Sequence, residues 1–217
     1  MRYVWLHGFA SGPTSGKGQF VRERLRGRGV ALAIPDLNAP AFFDLTVSRM
    51  LSQIDALAGE KEELVLFGSS LGGFTAATWA AARPGRTRAL VLLAPAFDLG
   101  PRWAARMDAA ALEEWRRSGR RPFDHYARGR KEELSWAFLS DAFRYESYPL
   151  PPCPTLVIQG AKDDVVEPAL AREFVRHMQG RARLVELDEG HELNADLPAL
   201  WGHIEVFLAP YLPRPTP

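Results

Sequence analysis

The sequence has a single cysteine, Cys153, among 217 residues. No internal disulfide is possible, which fits a reducing compartment. Cys153 stands in Pro-Pro-Cys-Pro before an apolar run and reads as a small buried residue rather than a nucleophile. An excess of charge is also missing: 27 basic residues face 26 acidic ones, for a net charge of +1. That removes the electrostatic case for nucleic acid or an anionic membrane as partner. Lysine is scarce, at Lys17, Lys61, Lys131 and Lys162 only, and arginine takes its place; this bias says nothing about a reaction. No apolar run is long enough for a transmembrane helix, and no leader pattern precedes Tyr3-Val4-Trp5-Leu6. These features predict a cytoplasmic protein without stable membrane insertion. Metal-ligand spacings and G-x-G-x-x-G are missing too, so no metal is expected. What remains, 47% hydrophobic and 24% charged, is ordinary globular composition. Residues 1–217 are read as one domain with room for a core.

Short apolar runs alternate with helical segments. Strands are predicted at 2–6, 30–34, 63–68, 88–94, 154–159 and 182–187, and helices at about 17–27, 44–58, 71–83, 167–179 and 196–209. Runs such as Ala89-Leu90-Val91-Leu92-Leu93 are apolar throughout, as in strands covered on both faces. The alternation predicts an α/β fold: a three-layer, doubly wound, mainly parallel six-stranded sheet. Ligands in such sheets bind beyond the carboxyl ends of the strands. One stretch breaks the rhythm. Residues 101–148 are rich in aromatic and charged side chains, and two or three short helices are predicted there, forming a cap over that edge. The proline-rich C-terminal tail is expected to be frayed.

At the end of the third predicted strand stands Gly68-Ser69-Ser70-Leu71-Gly72-Gly73, with a small-residue helix behind it. This is the G-x-S-x-G pattern of a nucleophile elbow. A serine at so sharp a turn needs neighbours without side chains, and Gly68 and Gly72 supply them. Ser70 is then presented at a helix N-terminus, which favours developing negative charge. A serine nucleophile needs a base and an acid that orients the base. Of the five histidines, His191 lies in a loop just past the strand at 182–187. His177 and His203 fall within helices, and His125 belongs to the cap. For the acid, Asp163 and Asp164 both follow the strand at 154–159. Asp163 is favoured, and Asp98 is a third candidate. The backbone N–H groups of Phe9 and Leu71 are candidate oxyanion donors, with His7 holding the first loop. Ser11-Gly12-Pro13-Thr14-Ser15-Gly16-Lys17-Gly18 has the outline of a phosphate-binding loop. It lacks the glycine required at position 11 and the Ser or Thr required at 18.

On His7-Gly8-Phe9, Gly68–Gly73, Gly160–Val166 and Gly190-His191, in the order Ser70, Asp163, His191, the chain resembles the α/β-hydrolase superfamily over essentially its full length. It is most similar to small bacterial serine esterases that begin directly with the His-Gly-Phe strand. It is also similar to the mammalian mitochondrial acyl-protein thioesterase and acyl-glucuronide esterase relatives, in Gly-Ser-Ser-Leu-Gly-Gly, Lys162-Asp163-Asp164 and the length and position of the cap. The resemblance implies a minimal sheet of order 4-3-5-6-7-8 in the superfamily's strand numbering. It also implies a nucleophilic Ser70, a covalent acyl-enzyme and no cofactor. The expected activity is hydrolysis of a carboxylic ester or thioester of an apolar acyl group, with a small-molecule substrate. Trp103, Trp115 and Trp136 of the cap are expected to line the pocket. The alternative is a non-hydrolytic use of the scaffold: a lyase, a cofactor-free peroxidase or a binding protein.

Overall fold

Alternation inside the apolar runs decides which layer each side chain joins. In a strand, successive side chains point to opposite faces. Accordingly Val4, Leu6, Leu64, Leu66, Leu90 and Leu92 pack into one core, while Tyr3, Trp5, Val65, Phe67, Val91 and Leu93 pack into another on the opposite face. A computed structural model describes residues 1–213. The expectation of a frayed tail falls partly on 214–217, outside the described residues.

Six strands form one parallel sheet: β1 (Arg2–Leu6), β2 (Leu32–Ala33), β3 (Leu64–Ser69), β4 (Thr87–Leu93), β7 (Thr155–Gly160) and β8 (Ala182–Leu187). Their order is β2-β1-β3-β4-β7-β8, which is the order implied by the resemblance. The neighbours are parallel throughout. Helices α2 (Val47–Leu57), α3 (Leu71–Ala82) and α7 (Pro168–His177) cover one face through residues such as Ile54, Phe74 and Phe174. Helices α1 (Gly16–Arg26) and α8 (Leu197–Leu208) cover the other through Val21, Leu25, Leu200 and Ile204. Helix α3 is buried on nearly every side. Its small side chains allow that, and Thr75 and Thr78 return their hydroxyls to carbonyls four residues back.

Between β4 and β7 the chain builds the insertion. It contains three short helices, α4 (Leu99–Ala105), α5 (Ala109–Ser118) and α6 (Ala137–Ala142). It also contains an antiparallel hairpin, β5 (Arg120–His125) with β6 (Arg130–Ser135), so the cap is not helical throughout. These strands were hidden because they are mostly charged. Only His125 and Leu134 are fully buried in them, too few for a visible apolar alternation. Among the described residues no helix is long and apolar enough to cross a membrane.

Candidate active site

Strand β3 and helix α3 meet at Ser70 with no linker. The turn forces Ser70 to φ 53°, ψ −117°, a region that L-residues rarely adopt and that costs on the order of 1–3 kcal/mol. The surrounding glycines make it possible. A Cβ on Gly68 would come within 2.4 Å of the Gly72 carbonyl oxygen, and one on Gly72 within 2.1 Å of that of Leu6. The turn is tied down by backbone bonds: Ser70 N–H donates to Leu93 at 2.9 Å, and its carbonyl accepts from Ala96 at 3.0 Å.

Two other strand ends bring their loops to this point. After β7, Asp163 is only 5% exposed. One of its oxygens accepts the N–H of Val165 at 2.9 Å and of Val166 at 2.7 Å. The other accepts from Gln159 Nε2 at 2.7 Å and lies 2.8 Å from His191 Nδ1. Burial alone would raise this carboxyl, but the bonds from His191, Val166 and Gln159 outweigh it and hold Asp163 below the usual carboxylate range. After β8, His191 turns its Nε2 to Ser70 Oγ at 3.0 Å. With Nδ1–H donating to Asp163, Nε2 is the free lone pair. It is therefore set to take the hydroxyl proton. The two loops touch closely: a Cβ on Gly160 would lie 2.3 Å from the Gly190 carbonyl oxygen.

The rival acids lie elsewhere. Asp164 is exposed and engages Arg106 through its backbone carbonyl. Asp98 accepts from Ser147 Oγ at 2.5 Å. His177 pairs with Glu173 on α7, and His203 lies on α8. His7 is buried, accepts Leu37 N–H at Nε2 over 3.0 Å and faces the Gly8 carbonyl with Nδ1 at 2.9 Å. An Nε2 that accepts carries no proton, so the 3.6 Å approach of Asp36 is not an ion pair. Burial holds His7 below the usual histidine range, and its role here is to tie the loop after β1.

That loop also carries Phe9. The amides of Phe9 and Leu71 donate to no protein acceptor among the described residues, and both residues line the same cavity as Ser70 and His191, about 770 Å³ in volume. Phe9 is the hub of the insertion's aromatic cluster, with ring centroids 5.0 Å from Trp103, 5.6 Å from Phe123 and 5.7 Å from Phe138. The hairpin tip adds a bond from Ala127 N–H to the Ala10 carbonyl at 3.2 Å.

Only one of the three cap tryptophans expected on the pocket wall is there. Trp103 lines the cavity together with Leu99, Val165 and Val166. Trp115 and Trp136 do not. Trp115 is 1% exposed and donates Nε1–H to the Leu134 carbonyl at 3.0 Å. Trp136 stands edge-on to it at 5.4 Å. Both rings pack inside the insertion, as part of the same continuous core as α2, α3 and the sheet face beneath them. Three contributors were missed from the sequence. Gln159 is fully buried and braces Asp163; a lone amide in the apolar run of β7 was the available signal. Arg102 and Arg106 of the α4 segment donate to the Val165 carbonyl and so tie the Asp163 loop to the cap. Nothing local marks them.

Residues 2–207 match the uncharacterised protein family UPF0227. The chain belongs to this family. Solved structures align with the UPF0227 chain over nearly all its length. Alpha/beta hydrolase domain-containing protein 10 from mouse aligns at TM-score 0.80 and 20% identity, covering 96% of this chain and 90% of that one. Est1E from Butyrivibrio proteoclasticus, with ferulic acid bound, aligns at 0.79 and 20%, covering 96% and 88%. The Paleococcus ferrophilus monoacylglycerol lipase aligns at 0.76 and 18%, covering 95% and 93%. At these identities the likeness establishes the fold: this UPF0227 chain has the α/β-hydrolase fold. Among curated proteins, no sequence matches it.

Proposed function

We propose that this protein is a serine hydrolase that cleaves a carboxylic ester or thioester of an apolar acyl group. Ser70 attacks the acyl carbon while His191 Nε2 takes its proton. Asp163 fixes the tautomer and stabilises the imidazolium. The amides of Phe9 and Leu71 receive the oxygen that becomes negative, a contribution of roughly 3–4 kcal/mol for such a donor. His191 then protonates the leaving group, and water releases the acyl-enzyme by the same steps. The acyl group rests against the apolar wall of Leu99, Trp103, Val165 and Val166. The chain acts as one domain with a cap at about 101–148. No step calls for a cofactor.

One observation carries this reading: the unbroken hydrogen-bonded line from Ser70 Oγ through His191 to Asp163, at 3.0 and 2.8 Å, on the floor of an open cavity. The esterase and lipase among the similar folds support it. The buried Cys153 thiol is pushed up to about 11 by desolvation, which rules it out as a rival nucleophile at neutral pH. The test is a fluorophosphonate probe with peptide mapping, followed by turnover of 4-nitrophenyl esters of graded chain length. A modified Ser70 and turnover lost in Ser70→Ala are expected. A labelled protein with no ester or thioester turnover would move the activity to another use of the serine.

A further inference from the structure

The cavity has a second wall, and it is built from donors. The loop that resembles a phosphate-binding loop without meeting its pattern ends there, at the start of α1. Ser15 stands at the N-cap of this helix, yet its hydroxyl makes no cap bond, and no acidic residue occupies the first turn. The amides of Gly16, Lys17 and Gly18 donate to no acceptor among the described residues. A helix N-terminus left open in this way attracts anions.

Independent signals point to the same place. Trp5 is 0% exposed, its indole Nε1–H has no partner, and the residue lines the cavity. A buried donor left empty costs about 1–3 kcal/mol. The Ser15 hydroxyl is buried and unpartnered as well. Both groups converge on Gly18, where a Cβ would lie 2.8 Å from Ser15 Oγ and 2.9 Å from Trp5 Nε1. Lys17, one of the scarce lysines, also lines the cavity. Its ammonium donates to the Glu192 carbonyl, one residue past His191, and forms no ion pair among the described residues. The Glu192 side chain is exposed. Burial lowers the Lys17 pKa against the raising influence of Glu192, Glu189 and Asp163. A desolvated cation without a counter-ion is unfavourable unless a ligand supplies one.

We propose that the α1 end of the cavity is a subsite for an anionic oxygen group, carboxylate or phosphate, carried by the substrate at a distance from the bond that is cut. The inference rests on the hydrolase reading of Ser70 and narrows it: one part of the substrate is apolar and meets the cap wall, and the other ends in an anion held by Lys17, Ser15, the Trp5 indole and the first amides of α1. This region lacks the pattern of a nucleotide loop at Ser11 and Gly18. It retains the part of that chemistry which needs only a helix start, a lysine and close backbone.

The test compares matched esters. On the acyl side the pair is 4-nitrophenyl pentanoate and mono-4-nitrophenyl glutarate. On the alcohol side the set is the acetates of butanol, 4-hydroxybutanoate and 3-hydroxypropyl phosphate. The readout is the anionic-to-neutral ratio of kcat/KM, in which a general loss of activity cancels. At least one anionic member should exceed its neutral partner by about fivefold or more. The acyl and alcohol sets reveal which side carries the anion, and the alcohol set separates carboxylate from phosphate. Lys17→Met and Gly18→Ala should bring the ratio to about one, and Lys17→Arg should retain part of it. If Gly18→Ala fails to fold by circular dichroism, Ser15→Ala takes its place. A ratio near one throughout in the wild type, or one untouched by Lys17→Met, overturns the subsite. It leaves the hydrolase reading standing as long as the neutral esters turn over. Should Ser70 resist fluorophosphonate and no ester turn over, the hydrolase reading fails. Calorimetric titration with glutarate and inorganic phosphate then decides the subsite: heat lost in Lys17→Met supports it, and no heat in the wild type overturns it.

Discussion

The sheet and the insertion above it handle the same site in opposite ways. Strands β3 and β7 are buried along their whole length. They deliver Ser70 and Asp163 through backbone geometry: an abrupt strand-to-helix turn, glycines at closest approach and loops bonded amide to carbonyl. The insertion exposes most of its hairpin and acts through side chains. Its aromatic rings enclose Phe9, and Arg102 and Arg106 hold the Asp163 loop. The sheet therefore sets where Ser70, Asp163 and His191 meet. The insertion packs against the Phe9 loop and the Asp163 loop and contributes one wall. Damage to the first should abolish reaction, and damage to the second should alter selectivity or stability in graded amounts.

The largest effect belongs to the sheet. Ser70→Ala and His191→Ala should each lower ester turnover by about 10⁴–10⁶ with the melting curve retained. Ser69→Ala should be far milder, and a trapped acyl group found on Ser69 by mass spectrometry would break the elbow assignment. Asp163→Asn comes next, with a loss of about 10⁴, whereas Asp164→Asn should change kcat little because its side chain points to solvent. Equal losses in the two would show that the loop, rather than one carboxylate, is what matters.

For the insertion, Trp115→Ala should cost about 3–5 kcal/mol in chemical denaturation, as for other fully buried rings. A loss below about 1 kcal/mol would mean that Trp115 does not help anchor the cap to the core beneath it. Trp103→Ala should shift the acyl chain-length profile of kcat/KM by factors of order ten, since one methylene in an apolar pocket is worth about 1–3 kcal/mol. Trp136→Ala should leave the profile's shape unchanged. A profile that moved with Trp136 and not Trp103 would reverse the pocket assignment.

The smallest effect is on pH dependence. Burial is the main cause that holds His7, in the sheet's first loop, and His125, in the hairpin, below the usual histidine range. Both therefore hold a proton less readily in the folded chain than in the unfolded one, which titrates at about 6.5. As pH falls through that value the unfolded state takes up protons first, so stability declines, by at most about 1.4 kcal/mol per pH unit for each histidine. Denaturation midpoints at pH 8 and 5.5 measure this. His125→Phe should flatten the slope by the hairpin's share, and an unchanged slope would assign the whole effect to the sheet side.

Much of the sheet was legible along the chain. The ranges 2–6 and 182–187 coincide with β1 and β8, and the other strands differ by a residue or two, except that 30–34 shortens to Leu32–Ala33. The order of Ser70, Asp163 and His191 past three strand ends was equally visible. The reason is local: a fully covered parallel strand must be apolar at most positions, and an elbow must have glycines two residues away on either side of its serine. Those demands fall on consecutive residues.

Tertiary structure alone decided what depends on residues far apart in the chain. It chose Asp163 over its neighbour as the partner of His191, through bonds that span 28 positions. It placed Gln159 behind that carboxylate and turned Trp115 and Trp136 away from the cavity into the cap's interior. It also gathered Trp5, Ser15 and Lys17 around the open start of α1. In each case the side chain's own type allowed several positions. The choice was made by which surfaces had to be covered and which donors and acceptors remained to be matched once the sheet had closed.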